Sequence, residues 1–407
     1  NKTVSVGSLS LGNGSNGGLA ANYTLSGGTH RLTVNQRPLN ATLARQYDGT
    51  TNAAGSDLSS FDALQGGESL TMTGTGTVAS KDVANGRSVT VGSLALANGG
   101  SGGLASNYSL NTASLNITQR PINTVYGARN YNASTTVDGS TLSSMTNLVG
   151  SETLTLSGNG VLSNANVGVN KTVNVGTLAL ANGSNGGLAA NYTVNGGTHL
   201  LTVNRAPISF TGTRQYDGTT NADNSNLTLS GLQGGEALTL SGVGTITSAI
   251  VEASKSVTIN TLSLSDNTGL ASNYTFTGGT HRIDVTKRIL SSSGSRIYDG
   301  TTNASNSDLT LSNLVGSETL TLSGTGTLGN ANVASNKSIT LNTLSISDGS
   351  NGGLAGNYTL SGGTHQLTVN QRVVSVSGTR LYDATTNAVA SDLSTHANLV
   401  GSETLTL

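Results

Sequence analysis

Cysteine is absent from the chain, which excludes disulfides, thiol nucleophiles and thiolate metal sites. The absence does not fix a compartment, because long exported repeat proteins can do without disulfides. Tryptophan is absent as well, and phenylalanine and proline occur three times each, so the 11 tyrosines must supply most of the large core side chains. Charged residues make up only 10% of the sequence, against roughly 25% in average soluble domains. With a formal net charge of −1 there is no electrostatic reason to expect nucleic acid or an anionic membrane as partner. No apolar run reaches the about 18 residues of a spanning helix, so membrane insertion is not expected. Asn1 to Leu11 show no basic-then-apolar leader pattern. What fills the sequence is glycine, at 55 positions, with serine, threonine and asparagine. Such low hydrophobicity gives disorder when net charge is high. Here net charge is near zero and the apolar residues alternate, which predicts a folded chain.

The decisive feature is a repeat. Tyr-Asp-Gly-Thr-Thr begins at Tyr47, Tyr216 and Tyr298, followed by Asp48, Asp217 and Asp299. It recurs in altered form at Tyr131-Asn132-Ala133 and Tyr382-Asp383-Ala384, giving spacings of 84, 85, 82 and 84 residues. A second landmark, Leu-Ala-x-Asn-Tyr, ends at Tyr23, Tyr108, Tyr192, Tyr274 and Tyr358, spaced by 85, 84, 82 and 84 residues. A third centres on Glu68, Glu152, Glu236, Glu318 and Glu403. Four whole modules follow, at 36–118, 119–203, 204–286 and 287–370. Residues 1–35 match the C-terminal part of a module and 371–407 the N-terminal part of another, the pattern of a segment cropped from a longer array. A period near 84 residues exceeds the roughly 20–50 of a solenoid unit and suits a small domain with its own core.

Within 287–370, Leu320 and Leu322 alternate with threonines, and Ile339, Leu341 and Leu344 continue the pattern with one shift. Tyr358 pairs with Leu360 and Leu367 with Val369, each two residues apart. Period-two alternation marks half-buried strands. Asp348-Gly349-Ser350-Asn351-Gly352-Gly353 and Ser361-Gly362-Gly363 are turn chemistry. The expectation is six or seven short strands per module, Lys337–Ile346 being one of them, and one helical turn within 305–315 capped by Asp308 or Ser307. At the junctions, as in Leu32-Thr33-Val34-Asn35-Gln36-Arg37-Pro38, no flexible linker intervenes. An all-β tandem array is predicted, whose modules follow one another directly as a stiff rod; with strands rising about 3.3 Å per residue, it would span roughly 150–200 Å.

Each landmark admits a functional and a structural reading. Asp48 and its counterparts could meet a ligand, with tyrosine as a stacking platform. The better reading is an Asx turn to Thr50 or Thr51, because asparagine replaces the acid at 132 and cannot supply its charge. Alanine at 133 and 384 predicts a negative φ there. Tyr23, Tyr108, Tyr192, Tyr274 and Tyr358 read as core anchors. The preceding Asn22, Asn107, Asn191, Asn273 and Asn357 read as outward residues that match a glycosylation pattern by composition. His30, His199, His281 and His365 recur once per module, with Ala113 in the remaining copy. Histidines a whole module apart cannot converge on one metal, so each is read as a satisfied side chain at a core edge. The repeated glutamates lack the second carboxylate within ~5–10 Å that glycoside hydrolysis needs. They are read as turn caps or as salt-bridge partners of the junction arginines. No metal site, cofactor or catalytic residue is expected, and the chain is read as a non-enzyme.

Arg-x-Tyr-Asp-Gly-Thr-Thr near a module start, Gly-x-Glu-x-Leu-Thr-Leu-Ser-Gly in its middle and Gly-Asn-Tyr-Thr-Leu near its end together resemble the YDG repeat domain, which is similar to the MBG domains of large bacterial adhesins. The resemblance covers essentially all of the chain, with 119–203 the most degenerate module. It implies a β-grasp-like or sandwich-like module in a secreted adhesin of the filamentous-haemagglutinin-like, two-partner-secretion kind, or in a biofilm matrix protein. The implied role is a structural stalk at the cell surface. Alternatives are a self-assembling extracellular filament, or weak glycan-binding modules acting by avidity. The partners expected are the neighbouring modules of the same chain, then exopolysaccharide, a host or neighbouring-cell surface, or identical chains.

Overall fold

A computed structural model describes residues 1–407. The chain divides into two compact units, Asn1–Asn204 and Arg205–Leu407. Each holds two whole modules and one partial one. Regular structure is strand, broken only by three-residue 3-10 turns. No helix is long and apolar enough to cross a membrane.

The module 287–370 shows the plan. Its main sheet has six strands in the order Asn303–Ser305, Thr325–Leu328, Ala334–Thr340, His365–Asn370, Ser291–Ile297 and Leu309–Ser312. All neighbours are antiparallel except the first and last long strands. These run parallel through the middle, in register from Ser292 opposite His365 to Ile297 opposite Asn370. Alternation decides which way the side chains face, so Leu367 and Val369 go inward and are 0% and 1% exposed. Leu320–Ser323 pairs antiparallel with Ser345–Asp348. Leu320, Leu322 and Ile346 from this ladder, and Leu344 just before it, join Leu328, Ile339, Leu367 and Val369 in one apolar cluster. The fold is therefore β-grasp-like in its parallel pairing of terminal strands, but a short strand ladder and 3-10 turns stand where a helix would lie.

Module 119–203 repeats the six-stranded order in the first unit, and the four-stranded sheets of 36–118 and 204–286 keep its central part. Each module has more strands than alternation suggested. There are ten in 119–203, 204–286 and 287–370 and eight in 36–118, because two- and three-residue ladders carry no readable period. Lys337–Ile346 is not one strand. Asn342 turns the chain with φ 44, and Leu344 N–H donates to Leu341 O at 2.8 Å, so two strands result. The helical turn is the 3-10 segment Asn306–Asp308, with Ser305 at the N-cap position in place of Asp308 or Ser307. A second 3-10 turn, Ala355–Asn357, stands just before Tyr358.

Candidate functional site

Within each unit, repeated tyrosines and glutamates that are far apart in sequence meet at the junctions between modules. In the first unit Tyr47 leaves the first strand of its module and enters the next one. Its hydroxyl donates to Glu152 Oε1 at 2.6 Å. Tyr192, from the same module as Glu152, donates to Oε2 at 2.6 Å. Lys81 Nζ adds a third bond to Oε1 at 3.0 Å, and the two tyrosine rings stand edge to face with centroids 5.4 Å apart. One carboxylate thus ties an aromatic of one module to an aromatic of the next. Tyr47 is 0% exposed, Tyr192 1% and Glu152 7%. The glutamates are therefore neither turn caps nor partners of the junction arginines. Arg120 instead donates to Asn147 O at 2.8 Å and reaches Tyr47 O at 3.4 Å.

The second unit builds the same clasp. Tyr216 and Tyr358 donate to the two oxygens of Glu318, each at 2.7 Å, and their rings are 5.4 Å apart. Tyr298 donates to Glu403 Oε1 at 2.5 Å. The half of the clasp within a module recurs as Tyr108 to Glu68 at 2.5 Å and Tyr274 to Glu236 at 2.6 Å. Tyr131 is buried, at 4% exposure. Tyr23 and Tyr382 are 72% and 94% exposed. The core-anchor expectation does not hold for Tyr23, because residues 1–35 contain no counterpart of Arg288–Ile289, the strand that pairs with Tyr358–Thr359.

The acid after the tyrosine shapes the turn that presents it. Asp48, Asp217 and Asp299 each accept from the backbone N–H two residues on, at 2.9 Å. Asp383 does so at 3.0 Å and Asn132 at 3.1 Å. The same aspartates pair with Arg45, Arg214, Arg296 and Arg380. The next residue is left-handed in every copy, φ 77 at Gly49 and 59 at both Ala133 and Ala384. The negative φ predicted for the alanines is thus wrong: the Asx bond and the arginine hold the turn, and alanine takes the strain. Glycine has a second reason at Gly49 and Gly218. A Cβ there would lie 2.6 Å from Val149 Cγ1 and 2.7 Å from Val315 Cγ1, both in the following module.

The family model of the YDG domain matches four successive stretches, residues 31–115, 118–199, 201–281 and 285–366. The chain belongs to the YDG-domain family. No curated protein matches it.

The asparagines before the second tyrosine were expected to face outward; Asn22 and Asn107 are exposed, but the other three are not. In the YDG modules Asn191, Asn273 and Asn357 are at most 3% exposed. Asn191 Oδ1 accepts from Val83 N–H of the preceding module at 2.9 Å, and Asn357 Oδ1 from Val251 N–H at 3.0 Å. An Asn-x-Thr match buried against a neighbouring module offers no glycosylation surface. The first unit differs in detail. Asn191 Nδ2 also donates to Asp82 at 3.0 Å, whereas Asn357 Nδ2 is buried without a partner because Ile250 stands where Asp82 does. The histidines lie at a core edge. His199 and His365 bond through Nε2 to the carbonyl five residues earlier, at 3.0 and 2.8 Å, and His365 Nδ1 accepts from Ser292 Oγ at 2.9 Å.

The clasp has a pH window. Burial pushes the Glu152 carboxyl up, but the bonds from Tyr192, Tyr47 and Lys81 outweigh it and the net pKa lies below the ordinary value. A depressed folded pKa gives stability that is present above the unfolded value of about 4.3 and is lost as pH falls through the folded one. Burial, reinforced by the glutamate, raises Tyr192, Tyr216 and Tyr358 to about 12. Their contribution is complete below the unfolded value of about 10 and disappears as pH rises through 12. Junction stability is therefore expected to be flat from about pH 5 to 9 and to fall on both sides. Thermal unfolding of Tyr47→Phe against the parent checks this: the variant should lose part of the alkaline dependence, and identical profiles would refute it.

Proposed function

We propose that this chain is a structural stalk segment of a secreted bacterial adhesin or biofilm matrix protein, acting outside the cell without catalysis. The observation that carries the proposal is the shared-glutamate clasp. Within each unit modules follow one another with no linker, as at Thr118 to Arg120 and Thr286 to Arg288, where one strand ends and the next begins two residues later, and a buried carboxylate with two tyrosine hydroxyls fixes the neighbour. A repeated acid whose two oxygens are both taken up in this way is a fastening, not a general acid. Such a fastening suits a spacer that holds a binding region away from a surface. Exopolysaccharide, a host or neighbouring cell, and identical chains are the partner classes this reading leaves for other parts of the protein.

Small-angle scattering of the whole chain tests it. A stalk should give a monomer of maximum dimension roughly 150–200 Å, from the strand rise per residue. A compact body of this length would have a radius of gyration of about 22 Å, and that value would defeat the stalk reading. Concentration-dependent growth in mass would favour the filament alternative, and retention on a glycan array the lectin alternative.

A further inference from the structure

We propose that each module is a tension-bearing clamp, loaded in shear through its central pair of parallel strands. The covalent chain enters 287–370 at the start of Ser291–Ile297 and leaves at the end of His365–Asn370. Those strands are hydrogen-bonded neighbours and parallel, with Ser292 opposite His365 and Ile297 opposite Asn370. Entry and exit therefore lie at opposite ends of one ladder. Tension along the chain slides one strand past the other and loads all the bonds between them together. Had the terminal strands been antiparallel, entry and exit would share an end and the bonds would break one after another.

The arrangement is common to all four modules. Arg37–Gln46 pairs parallel with Tyr108–Thr118, Thr124–Asn130 with Thr198–Asn204, and Ser209–Gln215 with Arg282–Thr286. The last strand is also held on its other side by an antiparallel neighbour, Ala334–Thr340 in the case of His365–Asn370. Sliding must then break two ladders. The apolar stripe Leu367 and Val369, almost fully buried, resists the same displacement because it would pass over the facing core. The buried side chains and the ladder thus oppose the one motion that tension drives. This inference deepens the stalk reading, adding load to length. A weak clamp would leave the scattering result standing, so the two can fail separately.

Pulling geometry tests it on the whole chain, whose lack of cysteine makes introduced thiols unique attachment points. Handles at Lys287→Cys and Asn370→Cys load the pair in shear. Handles at Ile297→Cys and Asn370→Cys pull apart two directly opposed residues and unzip the same ladder. All three positions are exposed. At one loading rate the shear pair should rupture at a force at least about twofold higher, since several bonds of about 1 kcal/mol share the load that unzipping puts on one. The second copy, Gln119 or Asn130 paired with Asn204, repeats the comparison in the other unit. Equal forces in the two geometries, or a stronger unzipping pair, would overturn the proposal.

Discussion

Glu152→Ala is expected to open the junction between 36–118 and 119–203 while leaving both modules folded. The substitution strands two tyrosine hydroxyls that are buried with it and deprives Lys81 of its partner. Removing one member of a buried charged network costs about 3–5 kcal/mol, whereas Tyr47→Phe removes a single charge-assisted bond and should cost about 1.5–3 kcal/mol. A chain of several modules has no single unfolding free energy, so local opening is the quantity to measure. Val83 N–H, held by Asn191, and Val149 N–H, held by Tyr192, report on it directly. Their hydrogen exchange should accelerate more than about 100-fold in Glu152→Ala, since about 1.4 kcal/mol corresponds to tenfold. Amides of the central strands, such as that of Leu201, should keep their protection. The double variant with Tyr47→Phe should cost less than the sum of the two, because both act on one bond. Unchanged exchange at Val83 and Val149 would mean that the clasp does not hold the junction.

The repeat and its strands were legible because both are periodic. Copies of the three landmarks measured the module, and alternation at Leu367 and Val369 gave the inward face. The clasp was not legible, because its members belong to different modules, with 105 residues between Tyr47 and Glu152 and 102 between Tyr216 and Glu318. A signal was nevertheless present. In a chain with so few charges, one glutamate recurs beside an alternating strand in every copy, and the tyrosine of its own module follows it 40 residues later at Glu68, Glu152 and Glu318. An acid that must lie next to a core needs donors, and tyrosine is the one abundant large side chain able to supply them. The asparagines misled for a related reason: parity within a strand places a side chain outward from its own module and is silent about what the next module covers. The one-sided chemistry of Lys81, whose counterparts are Ala165, Ala249 and Ala331, had no repeat to announce it.

Gly294→Ala is expected to destabilise its module strongly, costing about 3 kcal/mol by overpacking. Gly294 lies in the first central strand, opposite Leu309. The 3-10 turn before Leu309 crosses so close that a Cβ on Gly294 would stand 1.7 Å from Asp308 O. A backbone carbonyl cannot swing aside as a side chain can, so the turn or the strand must move. Gly127 and Gly212 occupy the same place, where a Cβ would meet Thr141 O at 2.2 Å and Asn226 O at 2.0 Å. The exception explains the rule. In 36–118 the position is Leu43, and there the ladder shifts register between Thr42 and Leu43, a bulge that makes room for a side chain now fully buried. Leucine at 43 belongs with its bulge and glycine at 294 with its flat ladder. Leu43→Gly should accordingly cost about 4 kcal/mol as a cavity. Gly356→Ala, where a Cβ would meet nothing within 4 Å and other modules carry alanine or serine, should be near neutral. Urea unfolding of the three variants, followed by hydrogen exchange in the affected module, separates these outcomes. A Gly294→Ala protein as stable as Gly356→Ala would show that the close crossing is not a constraint on the fold.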